Sequence, residues 1–131
     1  MTGRYATHGA EGQSQPGSRG RVLANRLGIV RVRDMQVAET AALLQLTDDL
    51  LGEITEGQRF AGDDLCAWHQ RWLGGIYDWA GRYRNVNMSK DGFPFAAARL
   101  VPTLMADYAR NVLAAHTPCA GMDDARRVQA L

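Results

Sequence analysis

Asp63–Arg84 reads DDLCAWHQRWLGGIYDWAGRYR, and its hydrophobic period sets the expectation for the whole chain. Leu65, Trp68, Trp72, Leu73, Ile76 and Tyr77 recur at steps of three and four, so they share one face of a helix. Two indoles and a phenol on that stripe make it the largest apolar surface in the sequence. Asp63 or Asp64 can cap the N-terminus, accepting from orphan backbone N–H groups. The spacing predicts a helix running to about Trp79-Ala80-Gly81, closed by Gly81 in the left-handed conformation. From Tyr83 onward the period changes.

Downstream, Tyr83–Phe95 reads as a hairpin. Val86 and Met88 alternate with Asn85 and Asn87. Ser89-Lys90-Asp91-Gly92 is the expected turn, because Asp-Gly supplies the positive φ angles a tight hairpin needs. Pro94 cannot donate to a ladder, so the return strand lies at an edge or is very short. A helix is expected from near Ala98 to His116, with Pro102 in its first turn and Thr117-Pro118 at its end. Gly121–Leu131 looks like the start of one more helix, and the pattern stops in mid-period.

Upstream, Arg33 to about Glu53 is the first long helix. Asp34 is its expected cap, and Met35, Ala38, Ala42, Leu46 and Leu50 form its stripe, joined by Leu43 and Leu44. Glu39 has no basic residue four positions on, so that face gains little from ion pairs. Before it, Val22–Leu27 is expected as a short helix closed by Gly28. Residues 1–18 are rich in Gly, Ser, Gln and Thr and read as an extended or mobile arm, leaving 19–131 as the domain.

Composition narrows the function classes. Fifteen basic against fourteen acidic residues give a net charge of +1, which supplies no electrostatic reason for nucleic acid or anionic membrane as partner. With 46% hydrophobic residues in 131 the chain can bury a core. Cys66 and Cys119 lack metal-like spacing and fit a reducing compartment. No apolar run spans a bilayer and no signal core leads the sequence, so a cytoplasmic location is expected. No metal-ligand set and no Ser/His/Asp or Cys/His arrangement has distinguishing context. His69 reads as a packed or rim histidine. Arg82, Arg84 and Arg99 flank the hairpin and read as solvated or paired with Asp78 and Asp91. Asp48, Asp49, Glu53 and Glu56 read as a solvated helix end.

Three segments together resemble the Fic/DOC family of protein adenylyltransferases. Ile76-Tyr77-Asp78-Trp79-Ala80-Gly81-Arg82-Tyr83-Arg84 is similar to that family's Ile-Tyr-x-Trp-Ala-Gly-x-x-Arg signature. Val22–Ile29, VLANRLGI, is similar to its leading segment, and Asn85–Ala96, NVNMSKDGFPFA, to the hairpin called the flap. The resemblance covers roughly Pro16–Leu131. It implies a mostly α fold, an incomplete Fic-type helical bundle with one β-hairpin. It also implies AMP transfer from ATP, with Mg²⁺, to hydroxyls of target proteins, one of which docks as an added strand along the flap edge. Met88, Ser89, Lys90, Asp91 and Gly92 become the candidate nucleotide- and target-binding positions. Read from the residues alone, the same stretch is a solvent-facing hairpin with a charged turn.

The family's chemistry resides in a His-Pro-Phe-x-(Asp/Glu)-Gly-Asn-(Gly/Lys)-Arg motif, with His as general base and the acidic residue on Mg²⁺. None of His8, His69 and His116 begins such a motif, and the sequence contains no Gly-Asn pair. No catalytic residue is therefore assigned, and no cofactor is expected for this chain alone. The alternative to an inactive transferase portion is a non-catalytic module that docks peptides on the flap. Without covering helices, the Leu65–Tyr77 and Leu100–Val112 stripes are expected to promote self-association. Thr7–Gly12 also fits the letters of the family's inhibitory helix, (Ser/Thr)-x-x-x-Glu-(Gly/Asn). Gly9 and Gly12 oppose a helix there, and the match reads as coincidence.

Overall fold

The computed structural model of the chain describes residues 5–8, 12–118 and 125. Helix α1 spans Val32–Glu53 and helix α2 spans Gly62–Leu73. A three-stranded antiparallel sheet is built from β1 (Tyr5–His8), β2 (Asn87–Lys90) and β3 (Phe93–Pro94), in the order β1-β2-β3. A 3-10 turn at Ala98–Leu100 leads into helix α3, Val101–Tyr108. A π-helical turn over Ala109–Leu113 carries α3 into a last short piece, Ala114–His116. The expected helix over 121–131 lies outside the described residues apart from residue 125.

The α1 stripe follows the expected period: Met35 and Leu46 are buried, and Ala38 and Ala42 pack against the core. Leu43 and Leu44 do not join it and are exposed. Its cap differs too. Arg31 is the N-cap without a side-chain bond, and Asp34 sits inside the first turn, where its charge opposes the positive end of the helix dipole. In α2 the N-cap is Ala61. Asp64 reaches back to accept its N–H at 2.7 Å, the carboxylate half of a capping box.

The aromatic helix is shorter than its period suggests. It stops at Leu73, and Gly74-Gly75 opens a turn in which the N–H groups of Ile76 and Tyr77 both donate to the Leu73 carbonyl. The turn lets Ile76, Tyr77 and Ala80 fold back onto Leu73 rather than continue along the helix axis. These four, with Val22 and Met35, form the buried core; full burial of an aliphatic side chain of this size contributes about 1.5–3 kcal/mol.

Val22–Leu27 is not a helix. Leu23 bridges antiparallel to Ser14, and the following turn is organised by Asn25. Its Oδ1 accepts from the Leu27 and Ile29 N–H groups, and its Nδ2 donates to the Leu23 and Ile29 carbonyls. An Asn side chain that satisfies local backbone groups competes directly with helix formation. Gly28 has the expected positive φ, 68°, but ends this turn instead. The boundary placed after Ser18 falls inside the same loop, where the buried Ser18 hydroxyl donates to the Val22 carbonyl.

Side-chain bonds fasten the two long helices. Glu53 and Arg71 form a bidentate pair, both contacts 2.8 Å, so Glu53 is not merely solvated. The pair holds the Glu53 carboxyl below its usual pKa. Across the middle, Trp72 Nε1 donates to the Glu39 carbonyl at 2.9 Å and the Tyr77 hydroxyl to the Glu39 carboxylate at 2.6 Å. Glu39, which has no ion-pair partner in its own helix, is therefore a tie between helices. Val37, Leu44, Leu51 and Phe93 are each more than three-fifths exposed. No helix among the described residues is long and apolar enough to cross a membrane.

Candidate functional site

The β2–β3 hairpin and the end of the aromatic segment border an open cavity. Asp91 and Gly92, φ 50° and 82°, form the two-residue turn between β2 and β3. Two consecutive positive φ angles are those of a type I′ hairpin. The turn is thus shorter than the four residues expected, and Ser89 and Lys90 belong to strand β2, paired with Pro94 and Phe93. Pro94 sits, as its missing donor requires, in a two-residue strand at the edge of the sheet.

Arg84 holds the base of this hairpin. Its guanidinium donates to the Val86 carbonyl at 2.8 Å and to the Ala96 carbonyl, joining the two legs. Asn87 Oδ1 accepts the Ala98 N–H at 2.8 Å, which fixes the hairpin to the start of the following helix. Arg82 donates to the Asp78 carbonyl, while the Asp78 carboxylate pairs with Arg26 at 2.6 Å. Both arginines spend donors on backbone carbonyls, and Arg82 is also exposed, as the solvated reading expects.

Beneath Met88 lies a cavity of about 430 Å³. Leu65, Val101 and Met105 give it apolar walls, and Cys66, His69, Trp79 and Tyr83 border it. Trp79 stacks on Tyr77 with ring centroids 4.5 Å apart, which fixes its indole. The Tyr83 hydroxyl bonds Cys66, which raises the Tyr83 pKa.

His69 is half-buried, and its Nδ1 accepts the Gly81 N–H at 2.8 Å, leaving the proton on Nε2. Burial holds its pKa below the ordinary 6.5. Between the two pKa values the unfolded chain binds the proton and the folded chain does not. The stabilisation is thus complete above about pH 6.5 and is lost as pH falls through the folded pKa. Thermal unfolding at pH 7.5 and 5.5 should show a larger drop for the wild type than for His69→Gln, which cannot be protonated. Equal drops in both would contradict this.

The structure brings Met88, Ser89 and Lys90 together on β2 and places Asp91 and Gly92 at its tip. Among the described residues no three of His, Cys, Asp and Glu cluster as a metal site. The cavity walls are mainly apolar, and the guanidiniums beside them are turned to carbonyls. Such walls, with no carboxylate cluster among the described residues, do not fit Mg²⁺. The geometry offers instead an apolar recess under a strand edge.

This hairpin, on helices joined through a Trp-Ala-Gly turn, matches a solved structure. The chain superposes with a TM-score of 0.71 on the N-terminal Fic domain of a Bartonella effector protein (Bep) from Bartonella sp. AR 15-3. The fold is Fic-like. The match covers 93% of this chain and 60% of that one, at 18% identity, so the likeness is one of fold. That protein is described as a substrate of the VirB T4SS. No protein-family profile matches the sequence, and no curated protein does.

Two features of this site escape a reading of the sequence. One is the clamp made by Arg84, which carries no signal beyond its place in the Trp-Ala-Gly segment. The other is β1, which pairs with β2 over four residues. Tyr and Thr at positions 5 and 7 favour a strand, but Gly-rich flanks hide so short a run. Thr7 therefore lies in a strand, not in the helix that the Thr7–Gly12 letters resemble.

Proposed function

We propose that this chain is the flap-bearing part of a Fic-type protein adenylyltransferase, and that its own role is to dock an extended segment of a target protein along the flap. AMP transfer then requires catalytic groups that this sequence does not contain. The reading rests on one observation above the others: on a Fic-like frame, β2 has an edge that accepts an antiparallel strand. Main-chain pairing of that kind supplies affinity with little demand on sequence. The absence of the His-Pro-Phe and Gly-Asn groups from the sequence favours a second reading, a docking module without chemistry, which uses the same edge.

Transfer assays with α-³²P-ATP and Mg²⁺ test the division of labour. The chain alone should label no acceptor, and titration with ATP·Mg²⁺ should give no binding heat. A separate polypeptide carrying the missing motif should restore labelling under the first reading and not under the second. Labelling by the chain without any helper would overturn both.

A further inference from the structure

The edge that the docking role needs is already filled. Tyr5–His8 pairs with β2 in antiparallel register: Tyr5 with Lys90, Ala6 with Ser89, Thr7 with Met88 and His8 with Asn87. We propose that Tyr5–His8 is a tethered occupant of the β2 edge, and that an extended segment of a partner protein docks there only by displacing it. This inference rests on the docking role above.

The backbone directions follow from the register. Phe95 N–H donates to the Met88 carbonyl at 3.0 Å, so Met88 turns its backbone groups toward β3. In an antiparallel ladder neighbouring residues point to opposite sides. Asn87 and Ser89 therefore turn theirs toward β1, and Ala6, opposite Ser89, turns its N–H inward. Thr7 turns its N–H away from β2. On the far side of the sheet Pro94 lacks a donor, so β3 offers no complete ladder to a partner. Of the two edges of the β2–β3 hairpin, the β2 edge is therefore the one that takes a full strand.

The occupant is short. Four residues, joined along one side only, hold few ladder bonds, and their advantage is local concentration: a tether on the same chain gives an effective concentration on the order of millimolar. A partner strand displaces them by adding side-chain affinity. The cavity says where. Met88 borders it, and a residue directly opposite Met88 stands on the same face of the sheet. The partner is thus an extended, unstructured polypeptide, antiparallel to β2, with an apolar or aromatic residue at the position where this chain has Thr7.

Amide hydrogen exchange on the full chain tests this. Ala6→Pro removes the donor aimed at Ser89, whereas Thr7→Pro removes one turned away from β2. Ser89 amide exchange should rise at least about tenfold in Ala6→Pro, stay near wild type in Thr7→Pro, and leave the Phe95 amide protected in both. A synthetic peptide of residues 3–10, Gly3–Ala10, with position 7 changed to Phe, should then restore Ser89 protection in Ala6→Pro. Unchanged Ser89 exchange in Ala6→Pro would overturn the occupancy while leaving the docking role intact. Accelerated exchange that the peptide fails to reverse would mean the bared edge takes no strand in trans, which overturns the displacement and the docking role together.

Discussion

Gly81→Ala should lower the unfolding free energy by about 3 kcal/mol, combining a left-handed backbone with overpacking. Gly81 has φ +83°, and a Cβ there would stand 2.7 Å from Gln70 Cβ and 3.2 Å from the Cys66 carbonyl oxygen. Gln70 Cβ is fixed by α2 and cannot withdraw as the end of a flexible side chain could. The Gly81 N–H is also the donor to His69 Nδ1, so any shift that relieves the clash strains that bond. Gly75→Ala is the control: a Cβ there meets nothing within 4 Å, and its effect should stay within about 0.5 kcal/mol. Urea unfolding of both variants measures the difference. A Gly81→Ala protein as stable as Gly75→Ala would mean that the turn does not press against α2.

That turn is also where sequence and structure part company most usefully. The period of Leu65–Tyr77 is helical throughout, and the residues it selects are the ones that reach the core. Period alone cannot register that Gly74-Gly75 ends the helix, because a tight turn can present Ile76 and Tyr77 to the same side. The hairpin was legible because Asp-Gly and Pro94 have few permitted settings; its turn came out shorter because Ser89 and Lys90 fit a strand equally well. Val22–Leu27 misled for the opposite reason. Its apolar spacing suits a helix, but Asn25 satisfies four backbone groups of the turn and no period reports that. Long-range partners were the least visible. Nothing near Glu39 in sequence points to Tyr77, and nothing near Arg84 points to Ala96. Within the candidate site, the strand residues could be placed from the sequence, whereas the occupant of their edge could not.

Tyr77→Ala should cost about 4 kcal/mol, the range for deleting a large buried aromatic side chain. Tyr77 is 4% exposed, stacks on Trp79, and donates to the Glu39 carboxylate. Burial first, then the hydrogen bond to Glu39 and its negative charge, push its pKa upward, so the phenol stays protonated as the donor. Tyr77→Phe separates these contributions. It keeps the ring and the stack and removes one bond to a charged acceptor, worth about 1.5–3 kcal/mol. A double-mutant cycle with Glu39→Ala should return a coupling of at least about 0.5 kcal/mol; a coupling near zero would mean the bond does not tie α1 to the turn. The two variants should also differ at the flap cavity. Trp79 borders that cavity and depends on Tyr77 for its orientation. Near-ultraviolet circular dichroism from the indoles should collapse in Tyr77→Ala and persist in Tyr77→Phe. If both variants kept the signal, the cavity wall would be held by something other than the stacked pair, and the hairpin would be held by Arg84 and by the Asn87–Ala98 bond.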